Sequence, residues 1–315
     1  MNHRSHSLRC LLPCLRPALL LLSLSLLVAG SGMPSANAYE VHYAKTGYQV
    51  TSGMDYAIHY ELKKLIASHE RAFGRPAPAE FKITYYIFPT YALYQAHAAK
   101  SGKQVSPRLL GYTQSSAMIE NNTGKIMTAD VQVVTWRQAQ PAILTSTVLH
   151  ESAHAVTRSF LLQVPLWMNE GSADWFGQPA WANGTHQQLD RARRWQALLM
   201  MLEQKQLPPF RAYLEAEEYE AWGKMFGGNI GMGYVVGYSI FDFFMSHPNA
   251  QQFLTQLLRS EAVQKSETPG IIFTQAVEKN WPGGLATFEK SWHQWIRRKA
   301  EAERLAWQSK MKQQP

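Results

Sequence analysis

The sequence predicts an α+β fold, with a mixed β-sheet lobe in the first half and a mainly helical lobe in the second. Three observations carry this expectation. The 315 residues are 46% hydrophobic and 17% charged, which excludes a disordered chain and suffices for one large core. Extended and helical apolar periods alternate from Tyr39 to about Thr135. Beyond Pro141 the extended pattern gives way almost entirely to helical spacing.

Residues 1–38 read as a signal peptide. His3, Arg4, Arg9 and Arg16 make a basic start, Ala18 to Ala29 is an apolar or small run, and Ala36-Asn37-Ala38 is an A-x-A cleavage pattern. The competing membrane-anchor reading needs about 18 to 20 apolar residues, more than this run supplies. Cleavage before Tyr39 would give an exported protein, periplasmic or secreted. Both cysteines, Cys10 and Cys14, would leave with the leader, which excludes thiolate metal sites, a cysteine nucleophile and disulfides in the mature chain.

In the lobe spanning residues 39–140, Val41 to Val50 is strand-like and Asp55 to Phe73 repeats apolar residues at helical spacing. Phe81 to Phe88 is a β-rich run ended by Pro89, and Tyr91 to Ala99 reads as a short helix. Leu109 to Glu120 and Lys125 to Val134 read as two strands joined by Asn121-Asn122-Thr123-Gly124, a hairpin signal. Residues 141–180 form a helix pair. Pro141 suits a first helical turn, the apolar period runs from Ile143 to Leu162, and Pro165 restarts the chain into a helix carrying Trp167 to Phe176. In residues 181–315, helical stretches cover about His186 to Gln204, Met232 to Ser246, Ala250 to Ser260 and Phe288 to Ser309. Residues 39–315 are expected to make one two-lobed domain.

The net charge of +8 invites a nucleic-acid partner only if the charge is clustered. Three arginines belong to the leader, and residues 289–315 hold seven Lys/Arg against three Glu. Residues 39–288 carry 21 basic against 20 acidic side chains, so no nucleic-acid groove is expected. The C-terminal helix, with Arg297-Arg298-Lys299 and an apolar side of Trp292, Trp295 and Ile296, reads as a solvated face over a packed one. Weak contact with an anionic envelope surface is the alternative.

The chemistry lies in His150-Glu151-Ser152-Ala153-His154. Residues four apart on a helix sit about 40° from each other, so both imidazoles leave one face and can share one metal ion. Glu151 falls beside them and can reach a metal-bound water without displacing it, the position of a general base. The apolar flanks Val148, Leu149, Ala155 and Val156 place these polar groups in a buried segment, where they need partners. A catalytic zinc usually takes three protein ligands. Phe160 stands where a third histidine six residues beyond His154 would be. A carboxylate from the next helix is the other solution, and Glu170 in Asn169-Glu170-Gly171-Ser172-Ala173-Asp174 provides it, with Gly171 and Ala173 permitting close approach. Asp174, one turn later, is placed to accept the distal N–H of a metal-bound histidine, His150 first.

From Leu149 to Gly177 the sequence resembles the gluzincin zinc metallopeptidases, the superfamily of the thermolysin-like enzymes. The matching residues are His150, Glu151, His154, Ala155-Val156-Thr157, Asn169, Glu170 and Asp174. The resemblance implies a zincin-like fold with the zinc site between the two lobes. It also implies one Zn2+ per chain on His150, His154 and Glu170, Glu151 as general base and acid, and Asp174 behind a ligand. The short interval from His154 to Glu170 points to a separate exported, bacterial branch of unassigned substrate. Tyr234, in Tyr234-Val235-Val236-Gly237-Tyr238, resembles the tyrosine on a helix that stabilises the oxyanion in related branches, with Tyr238 as substitute. Zincins also align substrate backbone along an edge strand, here Ser116 to Asn121. An aminopeptidase-type Gly-Ala-Met-Glu-Asn segment is not matched, because Ile119 is inserted and the glycine is missing.

The other mature histidines, His42, His59, His69, His97, His186, His247 and His293, lack ligand spacing and read as surface or capping residues. No Gly-x-Ser-x-Gly elbow or phosphate-cradling loop is present. The expectation is therefore an exported zinc metallopeptidase acting on a peptide or protein. The alternatives are a noncatalytic zinc-stabilised scaffold and a zinc hydrolase of a nonpeptide amide such as a cell-wall crosslink.

Overall fold

A computed structural model describes residues 39–73, 76–119, 126–177 and 185–312. The expected leader with Cys10 and Cys14 and the turn from Glu120 to Gly124 lie outside the described residues. Strands β1 (Tyr39–Tyr43), β2 (Glu80–Phe88), β3 (Gly111–Ile119) and β4 (Ile126–Trp136) form a sheet in the order β1-β2-β4-β3. β1 and β4 run parallel to β2, while β3 runs antiparallel to β4 and lies at an edge. The helices are α1 (Ser52–Phe73), α2 (Tyr91–Lys100), α3 (Pro141–Phe160), α4 (Leu166–Phe176), α5 (Thr185–Glu203), α6 (Phe210–Leu214), α7 (Tyr219–Met225), α8 (Ile230–Met245), α9 (Pro248–Leu258), α10 (Glu261–Gln264), α11 (Pro269–Asn280) and α12 (Gly284–Lys312). The chain is thus α+β, with a mixed sheet in its first part and helices through the rest.

Period-two burial explains the sheet. Phe81, Ile83, Tyr85 and Ile87 of β2, with Ala129, Val131 and Val133 of β4, point to one face and join the core. Helix α1 adds Ile58, Leu62 and Leu65 to that core and packs on α3. A smaller cluster of Phe88, Tyr94, Tyr112 and Val134 lies under α2. β1 stops at Tyr43 instead of running to Val50. After Ala44 N–H donates to the Tyr85 carbonyl at 2.9 Å, Gly47 takes φ +90° and turns the chain away from the ladder.

Helix α3 is enclosed by the sheet, α1 and α4, and from Thr147 to Phe160 only His150 and Arg158 are more than slightly exposed. Helix α4 meets α8 backbone to backbone, because a Cβ on Gly171 would lie 2.3 Å from the Gly237 carbonyl oxygen. That closeness holds Glu170 over α3. Gly171→Ala is expected to cost about 3 kcal/mol or more, since neither backbone can yield cheaply. Urea unfolding of the variant checks this, and a midpoint equal to wild type would refute it.

Four helices were not expected from the sequence: α6, α7 and α10 are too short for a period to show, and α11 begins on Pro269-Gly270, which reads as a break. α12 buries Trp292 and Ile296. The Trp292 indole donates to Ser239 Oγ at 3.0 Å and the Trp295 indole to Asp242 Oδ2 at 2.9 Å, while Lys299 lies 3.4 Å from that oxygen. The aromatic side of this helix therefore packs on α8, and Arg297 and Arg298 face outward. No helix among the described residues is long and apolar enough to cross a membrane.

His69 is not at the surface that its spacing suggested. It is fully buried, with Nδ1 2.8 Å from the Leu65 carbonyl and Nε2 3.0 Å from Thr157 Oγ1. Burial lowers its pKa from 6.5 to about 4, against the opposing pull of the Leu65 carbonyl. Between those values the unfolded chain binds a proton that the folded chain refuses, so stability falls as pH drops from about 6.5 to about 4. Across the whole window the loss is about 3 kcal/mol. His69→Gln is expected to flatten the dependence of the urea midpoint on pH in this range, and an unchanged slope would contradict the assignment.

Candidate metal centre

His150, partly exposed, and His154, buried, lie one turn apart on α3 at the floor of a cleft, and Glu170 reaches them from α4. Glu170 Oε2 is 3.4 Å from His150 Nε2 and 3.4 Å from His154 Nε2, and the two Nε2 atoms are 3.1 Å apart. For bonds of about 2.0 to 2.1 Å, the edge of a tetrahedron around zinc is about 3.3 to 3.4 Å. The three atoms thus fit three corners of a tetrahedral site. This group, with Glu170 almost fully buried, could hold a metal ion.

The same side chains attract one another as an ion-pair cluster. Burial disfavours charge on His150, yet hydrogen bonds to Asp174 and Glu170 raise its pKa well above the usual value. Burial likewise opposes ionisation of Glu170, but the charge of His154 and hydrogen bonds with both imidazoles lower its pKa well below the usual carboxylate range.

Neighbours orient these side chains. Asp174 Oδ1 lies 3.1 Å from His150 Nδ1, which turns Nε2 toward Glu170, and Arg194 holds Asp174 Oδ2 at 3.3 Å. Asn169 donates to Glu170 Oε1 at 2.9 Å, and the Tyr219 hydroxyl donates to the same oxygen at 2.5 Å. Oε1 is thereby occupied, and Oε2 is the oxygen facing the histidines. His154 Nδ1, in contrast, is buried without a hydrogen-bond partner.

Glu151 is buried beside the pair. Thr113 Oγ1 of β3 lies 2.8 Å from its Oε2 and 3.0 Å from its carbonyl oxygen. Gly111 lets β3 approach this closely, since a Cβ there would meet Thr147 at 2.9 Å and Glu151 Cγ at 3.1 Å. A cleft of about 1070 Å³ opens over these groups, lined by β3, α3, α4, Tyr219 of α7 and Tyr234 of α8. The Tyr234 ring is 6.4 Å from that of His150 and stacks on Tyr219 at 6.1 Å. Tyr238 is buried against Trp195, 6.1 Å away, and is absent from the cleft wall.

The structure therefore brings together His150, Glu151, His154, Glu170, Asp174 and Tyr234, and sets Tyr238 apart. Sequence reasoning missed Tyr219, Thr113 and the role of Asn169. Tyr219 stands 49 positions after Glu170 in a short acidic stretch whose periodicity shows no helix. No protein-family model matches the chain, and no curated protein matches it.

Proposed function

We propose that the protein is an exported zinc metallopeptidase that hydrolyses peptide bonds. The observation that carries this reading is the convergence of His150 Nε2, His154 Nε2 and Glu170 Oε2 within 3.1 to 3.4 Å of one another, beside Glu151 in an open cleft. His150, His154 and Glu170 would hold the ion. When bound, zinc supplies a Lewis acid that polarises a carbonyl and makes water a better proton donor near neutral pH.

The chain's own residues supply the remainder. Thr113 engages Glu151 Oε2, which leaves Oε1 to accept a proton from the attacking water and return it to the leaving amine. Asp174 fixes the ring of His150, and Asn169 and Tyr219 fix the carboxylate of Glu170. Burial, followed by the charge of Glu170, raises the pKa of Tyr234 far above neutrality, so its hydroxyl keeps a proton to donate to a developing oxyanion. Intact Glu151 favours catalysis over a structural metal, because a closed structural site has no use for a base beside it.

The two tyrosines have separable effects. Tyr219→Phe is expected to weaken zinc affinity about 10- to 100-fold, as loss of a ligand's supporting hydrogen bond does. Tyr234→Phe is expected to lower turnover about 100-fold or more while zinc content stays full. Zinc titration and steady-state kinetics on both variants check this; the reverse pattern would exchange the roles. The proposal itself is tested with 1,10-phenanthroline. Peptide cleavage should stop on chelation and return on adding zinc, and cleavage that persists without metal would overturn the reading.

A further inference from the structure

Resting on the hydrolase reading, we propose that the cleft selects peptides bearing a carboxylate near the scissile bond, and that Arg158, Arg108 and Lys103 form the subsites that receive it. The cleft wall contains two carboxylates, Glu151 and Glu170, both committed to the centre. It contains three Lys/Arg side chains, none of which has an ion-pair partner among the described residues. This differs from Arg194, which Asp174 neutralises. With Glu151 and Glu170 engaged at the centre, these three cations are the charges of the cleft wall left to meet a ligand, and low-dielectric walls strengthen their attraction.

The three cations bracket the centre. Arg158 follows His150 and His154 at the same four-residue spacing on α3, so its side chain leaves from nearly the same helix face, about 6 Å further along the axis. Its Nη1 lies 3.4 Å from the Leu162 carbonyl, which leaves the rest of the guanidinium fork for a ligand. Arg108 lines both the cleft and an adjoining recess of about 440 Å³ beside Ile143, Thr147 and His150, toward the opposite end of α3. Lys103 lies 4.5 Å over the Tyr112 ring, where burial lowers its pKa and the charge of Glu151 partly restores it. An extended peptide advances about 3.3 Å per residue, so Arg158 meets a group about two residues from the cut, with Arg108 and Lys103 elsewhere on the same wall. The matching chemistry is a carboxylate, from an Asp or Glu side chain or from a free C-terminus.

The test uses purified zinc-loaded protein and synthetic peptides that share one cleavable sequence, with Ala, Glu or Lys at each position up to three residues from the cut and with a free or amidated C-terminus. Glu peptides are expected to exceed Ala peptides about tenfold in kcat/KM, through KM, and Lys peptides should be poorest. The preference should shrink at high salt. Arg158→Met should remove the advantage while the Ala peptide is cut as before, and Arg158→Lys should retain most of it. Arg108→Met, on an exposed side chain, gives the same readout if Arg158→Met folds poorly. Loss on amidation assigns the terminal carboxylate, and persistence assigns the side chain. Equal rates for Glu, Ala and Lys peptides would overturn the proposal. Binding of the same peptides to Glu151→Gln protein, read by fluorescence anisotropy, separates the two readings. If nothing is cut yet Glu peptides bind about tenfold tighter and Arg158→Met abolishes this, hydrolysis fails and the subsites stand; charge-independent binding refutes them.

Discussion

Glu151→Gln is expected to lower peptide hydrolysis by about 10²- to 10⁴-fold while zinc content and folding stay as in wild type. Expressed as a barrier this is about 3 to 5 kcal/mol, the size of the proton transfer proposed for this carboxylate. The substitution keeps volume and shape, and an amide oxygen still accepts from Thr113, whose hydroxyl lies 2.8 Å from Oε2. Only basicity is removed. Kinetics alongside metal analysis of the same sample check the result. A variant that keeps zinc and cuts as fast as wild type would take Glu151 out of the chemistry.

Glu170→Gln is expected to have the largest effect on the metal itself, a loss of more than about 100-fold in zinc affinity. Glu170 is 2% exposed and faces both histidines through one oxygen, so no other carboxylate of the centre can replace it. The neutral amide also removes the carboxylate partner of buried His154 and one of the two carboxylate partners of His150, and breaking a buried pair from one side costs about 3 to 5 kcal/mol. The variant should therefore unfold earlier and bind little zinc. Competition titration with a chromophoric chelator measures the affinity. Unchanged affinity would mean that Glu170 is not a zinc ligand and that its contacts with the two histidines are ion pairs only.

The sequence makes the centre legible where its geometry is local. The four-residue interval between His150 and His154 fixes a shared helix face, and Asp174 one turn after Glu170 fixes its reach to His150 Nδ1. The sheet was legible for a similar reason, because burial with period two along Phe81, Ile83, Tyr85 and Ile87 requires only the strand itself. What failed to show depends on contacts distant in sequence. Tyr219 gains its position from α7, a helix of seven residues that tertiary packing sustains. His69 is buried by Phe160 and Phe176, whose rings lie 5.6 and 4.4 Å away. β1 ends early because Gly47 turns, a choice of φ that the apolar pattern from Val41 to Val50 does not record. Gly171 was legible as permission for close approach, but its counterpart Gly237 was not.

Cleavage of a peptide library by the zinc-loaded protein, with a chelated sample and the Glu151→Gln variant alongside, tests the central claim most directly. Metal-dependent cleavage at defined peptide bonds, lost on chelation and reduced at least about 100-fold in the variant, is the expected result. Cleavage that survives both treatments, or a library left intact by protein shown to hold one zinc, would contradict it.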